Sequence, residues 1–130
     1  MTDIISVEIA FGELIDKITI LEIKLERIGN AEKLANVQTE WQTLIEARDQ
    51  AVNASDELTR LSNGLKAVNE KLWVIEDDIR DCERNRDFGK KFIELARAVY
   101  RTNDERARIK HQINKLLGSR LVEEKSYSAY

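Results

Sequence analysis

A chain of 130 residues with one cysteine, 42 % hydrophobic residues and no apolar run near the roughly 20 residues of a membrane span excludes an internal disulfide framework and a transmembrane helix. Its formal charge of -3 comes from 21 basic and 24 acidic residues that are interleaved, so no long-range attraction toward nucleic acid or an anionic membrane follows. The absence of proline, only 5 glycines and 35 % charged residues make the composition that of a single helical domain with wet outer faces.

Asp3 and Glu8 stand where a secretion signal carries basic residues, which makes the cytoplasm the expected compartment. Ile5, Val7 and Ile9 alternate with Ser6, Glu8 and Ala10, a period of two that predicts a short extended segment. So short a segment needs a partner strand or a groove between helices.

A first helix is expected from about Gly12 to Ile28, burying Leu14, Ile15, Ile18, Leu21, Leu25 and Ile28. Ile20 and Ile23 widen its apolar arc, so it has more than one neighbour. Glu13 and Asp16 in the first turn and Lys24 and Arg27 in the last favour the helix dipole. Gly29 is placed to end this helix and Asn30 to cap the second, which runs from Ala31 to about Val52. Ser55 offers a fresh cap. Without a turn there, residues 31–82 would form one helix of roughly 78 Å, which a chain this short buries well only in an oligomer.

The third helix, from near Glu57 to about Glu83, carries the stripe Leu65, Val68, Leu72, Ile75, Ile79 and Cys82. Cys82 on that stripe is expected to be a buried, inert thiol. Gly64 marks a bend or a close crossing. Asp87 is a candidate cap for a fourth helix from Phe88 to Leu117, with Gly118 placed to stop it. The apolar stripe of that helix has a gap between Val99 and Ile109, where Thr102, Asn103 and Arg106 stand. Beyond it, Ser119 to Tyr130 alternate enough for a strand paired with residues 4–10, and otherwise form a tail. The expected fold is all-α: an antiparallel bundle of three to four long helices with short extended ends. Wide apolar arcs and the long second helix favour a homodimer.

Three stretches, GELIDKITILEIKLERI at 12–28, LKAVNEKLWVIEDDIRDCERNRDFG at 65–89 and FIELARAVYRTNDERARIKHQINKLLGSRLVEEKSY at 92–127, resemble a family of small bacterial all-helical proteins described as a domain of unknown function. The resemblance covers nearly the whole chain. It implies a setting beside glycosyltransferases or surface-polysaccharide systems, and it carries over no catalytic residue, cofactor or metal.

Two constellations are candidates for binding a ligand or partner. Asn69, Trp73, Glu76 and Arg80 follow at steps of four, three and four on one ridge of the third helix, with Asp77 beside them. An amide, an indole, a carboxylate and a guanidinium in a row make a buried network, a partner surface or a pocket. In the fourth helix, Arg97, Tyr100 and Asp104 share one ridge and Asn103 and Arg106 the next. If the two helices are antiparallel about residues 84–87, equal distances bring Asn69 and Trp73 opposite Asn103 and Val99. The polar gap then meets the polar ridge at one shared site. Glu123, Glu124, Lys125 and Tyr127 form a third group, in an arm, a lid or a solvated tail.

Catalytic readings fare worse. Glu70, Asp77, Asp81 and Glu83 do not have the paired spacing of helical magnesium pyrophosphatases. The only histidine, His111, has Arg108 three residues before it, where a di-iron bundle needs glutamate. No serine or cysteine has a supported base. The basic residues of the fourth helix, among them Lys90, Lys91, Arg101 and Arg108, scatter around its circumference and make nucleic acid an unfavoured partner. The leading expectation is a non-catalytic accessory or scaffolding protein that acts by binding another macromolecule, a protein being the candidate partner. The rival is a binder or enzyme for an anionic, phosphorylated or nucleotide-linked compound held by Arg80, Arg97 and Arg106.

Overall fold

The computed structural model describes residues 3–130 and contains four helices and no strand among them. They are α1 (Phe11–Arg27), α2 (Ala31–Ala51), α3 (Asp56–Arg84) and α4 (Lys90–Leu117). The all-α expectation holds, with four helices rather than three, because the chain breaks at Val52 to Ser55. The Ser55 hydroxyl accepts a hydrogen bond from the Leu58 N–H at 3.1 Å and so satisfies one free donor of the new helix. Asn30 does the same for α2 through the Lys33 N–H at 2.9 Å.

Other boundaries differ in their cause. α1 ends at Arg27 with Ile28 extended, just before the expected stop at Gly29, and Gly118, the stop expected after α4, takes the left-handed conformation, φ 63°. There the Ser119 N–H returns to the Asn114 carbonyl at 2.8 Å, which closes the helix end. α4 starts two residues later than the apolar pattern suggests. Asp87 does not cap it, because its carboxylate is turned to the Gly89 N–H in the preceding loop.

α3 and α4 form an antiparallel hairpin, α1 lies on both of them, and α2 rests chiefly on α1. The core gathers where α1 meets the first half of α3 and the end of α4: Ile15, Leu58, Leu61, Leu65 and Ile113, with Phe11, Val52, Ile109 and Leu117 packed around them. Gly64 is not a close crossing, since a Cβ there would make only ordinary contact with Ile109 at 3.8 Å. The close approach is at Gly12, where a Cβ would stand 2.4 Å from the Lys110 carbonyl oxygen. Glycine lets α1 touch the backbone of α4.

The core does not extend along the whole hairpin. None of residues 83–101 is buried, so the far end of α3 and the start of α4 project as a two-helix arm. The extended ends do not pair as strands. They meet through side chains instead, the Phe11 N–H donating to the Ser119 hydroxyl at 3.3 Å and Arg120 pairing with Glu8 at 2.5 Å. No helix among the described residues is long and apolar enough to cross a membrane.

Candidate functional site

α1 and α4 run antiparallel, as successive contacts along them require. The Gly12 N–H donates to the Asn114 side-chain oxygen at 2.6 Å, Lys110 pairs with Glu13 at 2.7 Å, and Arg106 reaches Asp16. The antiparallel run therefore lines up the polar residues of both helices at one level of the bundle.

Asp16 is the centre of that level. It is only 1 % exposed, and the stripe residues Ile15 and Ile18 flank it in sequence. An ionised carboxylate buried so deeply needs several donors. It has them in Arg106, through Nε at 2.9 Å and through Nη2, and in the Asn69 amide at 2.9 Å. The same amide nitrogen also reaches the Thr19 hydroxyl at 2.9 Å, and that hydroxyl donates to the Asp16 carbonyl at 2.8 Å. The fork of hydrogen bonds to Asp16 holds the Arg106 guanidinium above its ordinary pKa, against the opposing effect of burial.

Lys110 forms a second buried ionic group just below. Burial pulls its pKa down, but hydrogen bonds to Glu13 and Glu123 and the charge of Asp16 outweigh this, so the net displacement is upward. Glu123 comes from the C-terminal segment, at 3.1 Å. That segment turns back along α4: the Tyr130 hydroxyl donates to Asp104 at 2.5 Å, and its ring meets that of Tyr100 edge-on at 5.1 Å between centroids.

Above the network lies an open cleft of about 510 Å³ between α1 and the base of the arm. Ile20 and Ile23 of α1 and Leu72 and Trp73 of α3 supply its apolar walls. Glu76, Asp77, Arg80, Asn103 and Arg106 supply the polar ones. The ridge Asn69, Trp73, Glu76 and Arg80 and the gap residues Asn103 and Arg106 thus stand together, as the antiparallel register implies. Asn69 is buried at the cleft floor and tied to Asp16. Glu76 and Arg80 are exposed and paired with each other along the helix.

The remaining residues go elsewhere. Tyr100 and Asp104 line a second groove, of about 690 Å³, between α4 and residues 125–130, with Asn103 on its edge as well. Arg97 is exposed on the arm and lines neither space. The polar gap of α4 is therefore divided between two surfaces.

Asp16, Thr19, Glu13, Lys110 and Asn114 escape the sequence reading. Asp16 carries a signal, since it sits inside a wide apolar arc where a solvated acid would not belong. It is expected in the first turn as a dipole partner, whereas α1 begins at Phe11 and has only Glu13 as an acid in that turn. Lys110 gives no such signal among so many basic residues.

Arg106 is engaged by Asp16 and Arg80 by Glu76, so neither cation of the cleft is free of a carboxylate. Cys82 is buried within the arm and His111 is exposed away from the cleft. Among the described residues no group of three or more His, Cys, Asp and Glu side chains is arranged to hold a metal ion.

A model of a family of unknown function, DUF6165, matches residues 5–130. No curated protein and no solved structure matches the chain.

Proposed function

The chain belongs to that family of unknown function, and we propose that it is a non-catalytic accessory protein whose cleft between α1 and the α3–α4 arm binds a protein partner. One observation carries the reading: both arginines of the cleft are already paired with the protein's own carboxylates, while Trp73, Leu72 and Ile20 leave apolar walls partly exposed to it. A site for a phosphorylated ligand needs cations with unspent donors and charge. An apolar centre containing tryptophan and ringed by arginine and acids is the anatomy of a protein interface.

The buried network beneath the cleft acts as support. Asp16, Asn69, Thr19 and Arg106 lock α1 to the hairpin and so hold the cleft walls at a fixed distance. The lone buried thiol, Cys82, suits a reducing compartment, and the reading sets the protein in the cytoplasm. Components of glycosyltransferase or surface-polysaccharide systems, the setting that the sequence resemblance implies, are the first partners to test.

A thermal-shift screen of the purified protein against nucleotides, sugar phosphates, dicarboxylates and divalent metals tests the reading against its rival. The expected result is no shift with any compound. A rise in melting temperature with one anionic compound, lost in Arg80→Ala, would replace the interaction reading with a metabolite site.

A further inference from the structure

The basic residues of α4, expected to scatter around it, include five that share one line. Lys90, Arg97, Arg101, Arg108 and Lys115 recur at steps of seven, four, seven and seven, which at 3.6 residues per turn sets them above one another. They occupy the face of α4 turned away from the buried Thr102 and Ile113, while Lys91 lies about a quarter-turn aside. All five are exposed, and the line is about 38 Å long.

None of the five makes an ion pair among the described residues. Carboxylates are within reach by spacing: Glu94 stands three residues before Arg97, Glu105 four after Arg101 and Asp104 four before Arg108. On α3 such spacings are used, since Arg60, Arg80 and Arg84 each take a carboxylate three or four residues away. On α4 they are not. Asp104 receives the Tyr130 hydroxyl instead, and Glu94 and Glu105 stand together on one flank of the line. A row of cations with uncommitted donors suits an anionic chain.

The other flank is aromatic. Tyr100, Tyr127 and Tyr130 border the groove of about 690 Å³ there and are 42 %, 82 % and 76 % exposed. The Arg101 charge bears on the Tyr130 hydroxyl, so the line and the tyrosines adjoin. This pairing selects among anionic partners. A helix that lies on a membrane turns apolar side chains into it, and the line itself carries none. The phosphates of a duplex curve away from a straight row, whereas a flexible single strand follows it and presents unpaired bases to aromatic faces.

We propose that the outer face of α4 binds single-stranded nucleic acid, with phosphates along Lys90, Arg97, Arg101, Arg108 and Lys115 and bases against Tyr127 and Tyr130. This surface lies apart from the cleft, and its reading stands independently of what occupies the cleft.

Fluorescence anisotropy of a labelled oligothymidylate of about 20 nucleotides, in about 50 mM salt, tests it. The wild-type protein should bind saturably. Arg101→Glu with Arg108→Glu should weaken binding at least tenfold and make its salt dependence shallower. Arg27→Glu with Lys33→Glu, an equal change of charge at exposed and unpaired positions beside the α1–α2 turn, should stay within about twofold of wild type. Tyr127→Ala should weaken binding several-fold and leave the salt dependence as it was, the mark of stacking rather than charge. Circular dichroism verifies that the variants fold. No saturable binding by the wild type, or equal weakening by the Arg27 and Lys33 pair, would overturn the inference. So would tighter binding to a duplex of the same length or to phosphatidylglycerol vesicles, and so would a Tyr127→Ala protein that binds as wild type does.

Discussion

Asp16 on α1 and Arg106 on α4 form a two-point ion pair, with Nε at 2.9 Å from one carboxylate oxygen and Nη2 on the other, across 90 residues of sequence. The carboxylate is sealed from solvent while the guanidinium is partly open toward the cleft. The pair therefore joins the stability of the bundle to the shape of its surface.

Breaking it should be expensive. Asp16→Ala leaves Arg106 without its acceptor and Asn69 with Thr19 alone, and should lower stability by about 3–5 kcal/mol, measured by urea unfolding. Replacing both residues together, Asp16→Leu with Arg106→Leu, should cost clearly less than the sum of the single changes, because no uncompensated charge remains buried. Strict additivity would mean that the two side chains do not act as a unit.

Gly12→Ala tests the backbone approach of α1 to α4. The new methyl would meet the Lys110 carbonyl oxygen at 2.4 Å and the Asn114 side-chain oxygen at 2.9 Å, and the first of these cannot rotate away. Stability should fall by about 1–3 kcal/mol despite the gain in helix propensity. Gly64→Ala, whose Cβ meets only Ile109 at 3.8 Å, should be neutral or slightly stabilising.

Lys110 gives a pH signature. Its pKa in the folded protein is raised above the ordinary 10.5, so the charged form is favoured by folding. That contribution is fully present below the unfolded-state value and is lost as pH rises through the folded one. The stability difference between the parent and Lys110→Met should therefore be constant to about pH 10 and narrow above it. A difference that widens with alkaline pH would reverse the sign of the linkage.

The C-terminal segment should respond separately. Tyr130→Phe removes the hydroxyl that donates to Asp104 but keeps the ring against Tyr100. Amide exchange in residues 122–130 should quicken while the global unfolding midpoint stays where it was. A fall in the global midpoint would place this segment within the cooperative core.

How much of this was legible depended on what each feature rests on. The helices follow from periodicity and caps: Ser55 and Asn30 accept the predicted hydrogen bonds, and the antiparallel register about residues 84–87 brings Asn69 and Trp73 to Asn103. Asp16 was not legible as the centre, because a carboxylate near the start of a helix can serve the helix dipole equally well from the surface. Only the packing of α1 across both α3 and α4 decides between those roles. The close crossing expected of Gly64 falls at Gly12 for the same reason, since close approach depends on which helix lies opposite. The strand pairing expected of the two ends rested on alternation alone. Period two also describes an extended segment that pairs with nothing, and here side chains rather than a backbone ladder join the ends.

The most direct test of the cleft as an interface is a photoreactive phenylalanine analogue placed at Trp73, with a second protein carrying it at the exposed α2 residue Gln42 as control. Irradiation in living cells, followed by mass spectrometry of the crosslinked product, should give a defined protein adduct from position 73 and none from position 42. No protein adduct at position 73 under conditions where the probe is competent would contradict the account.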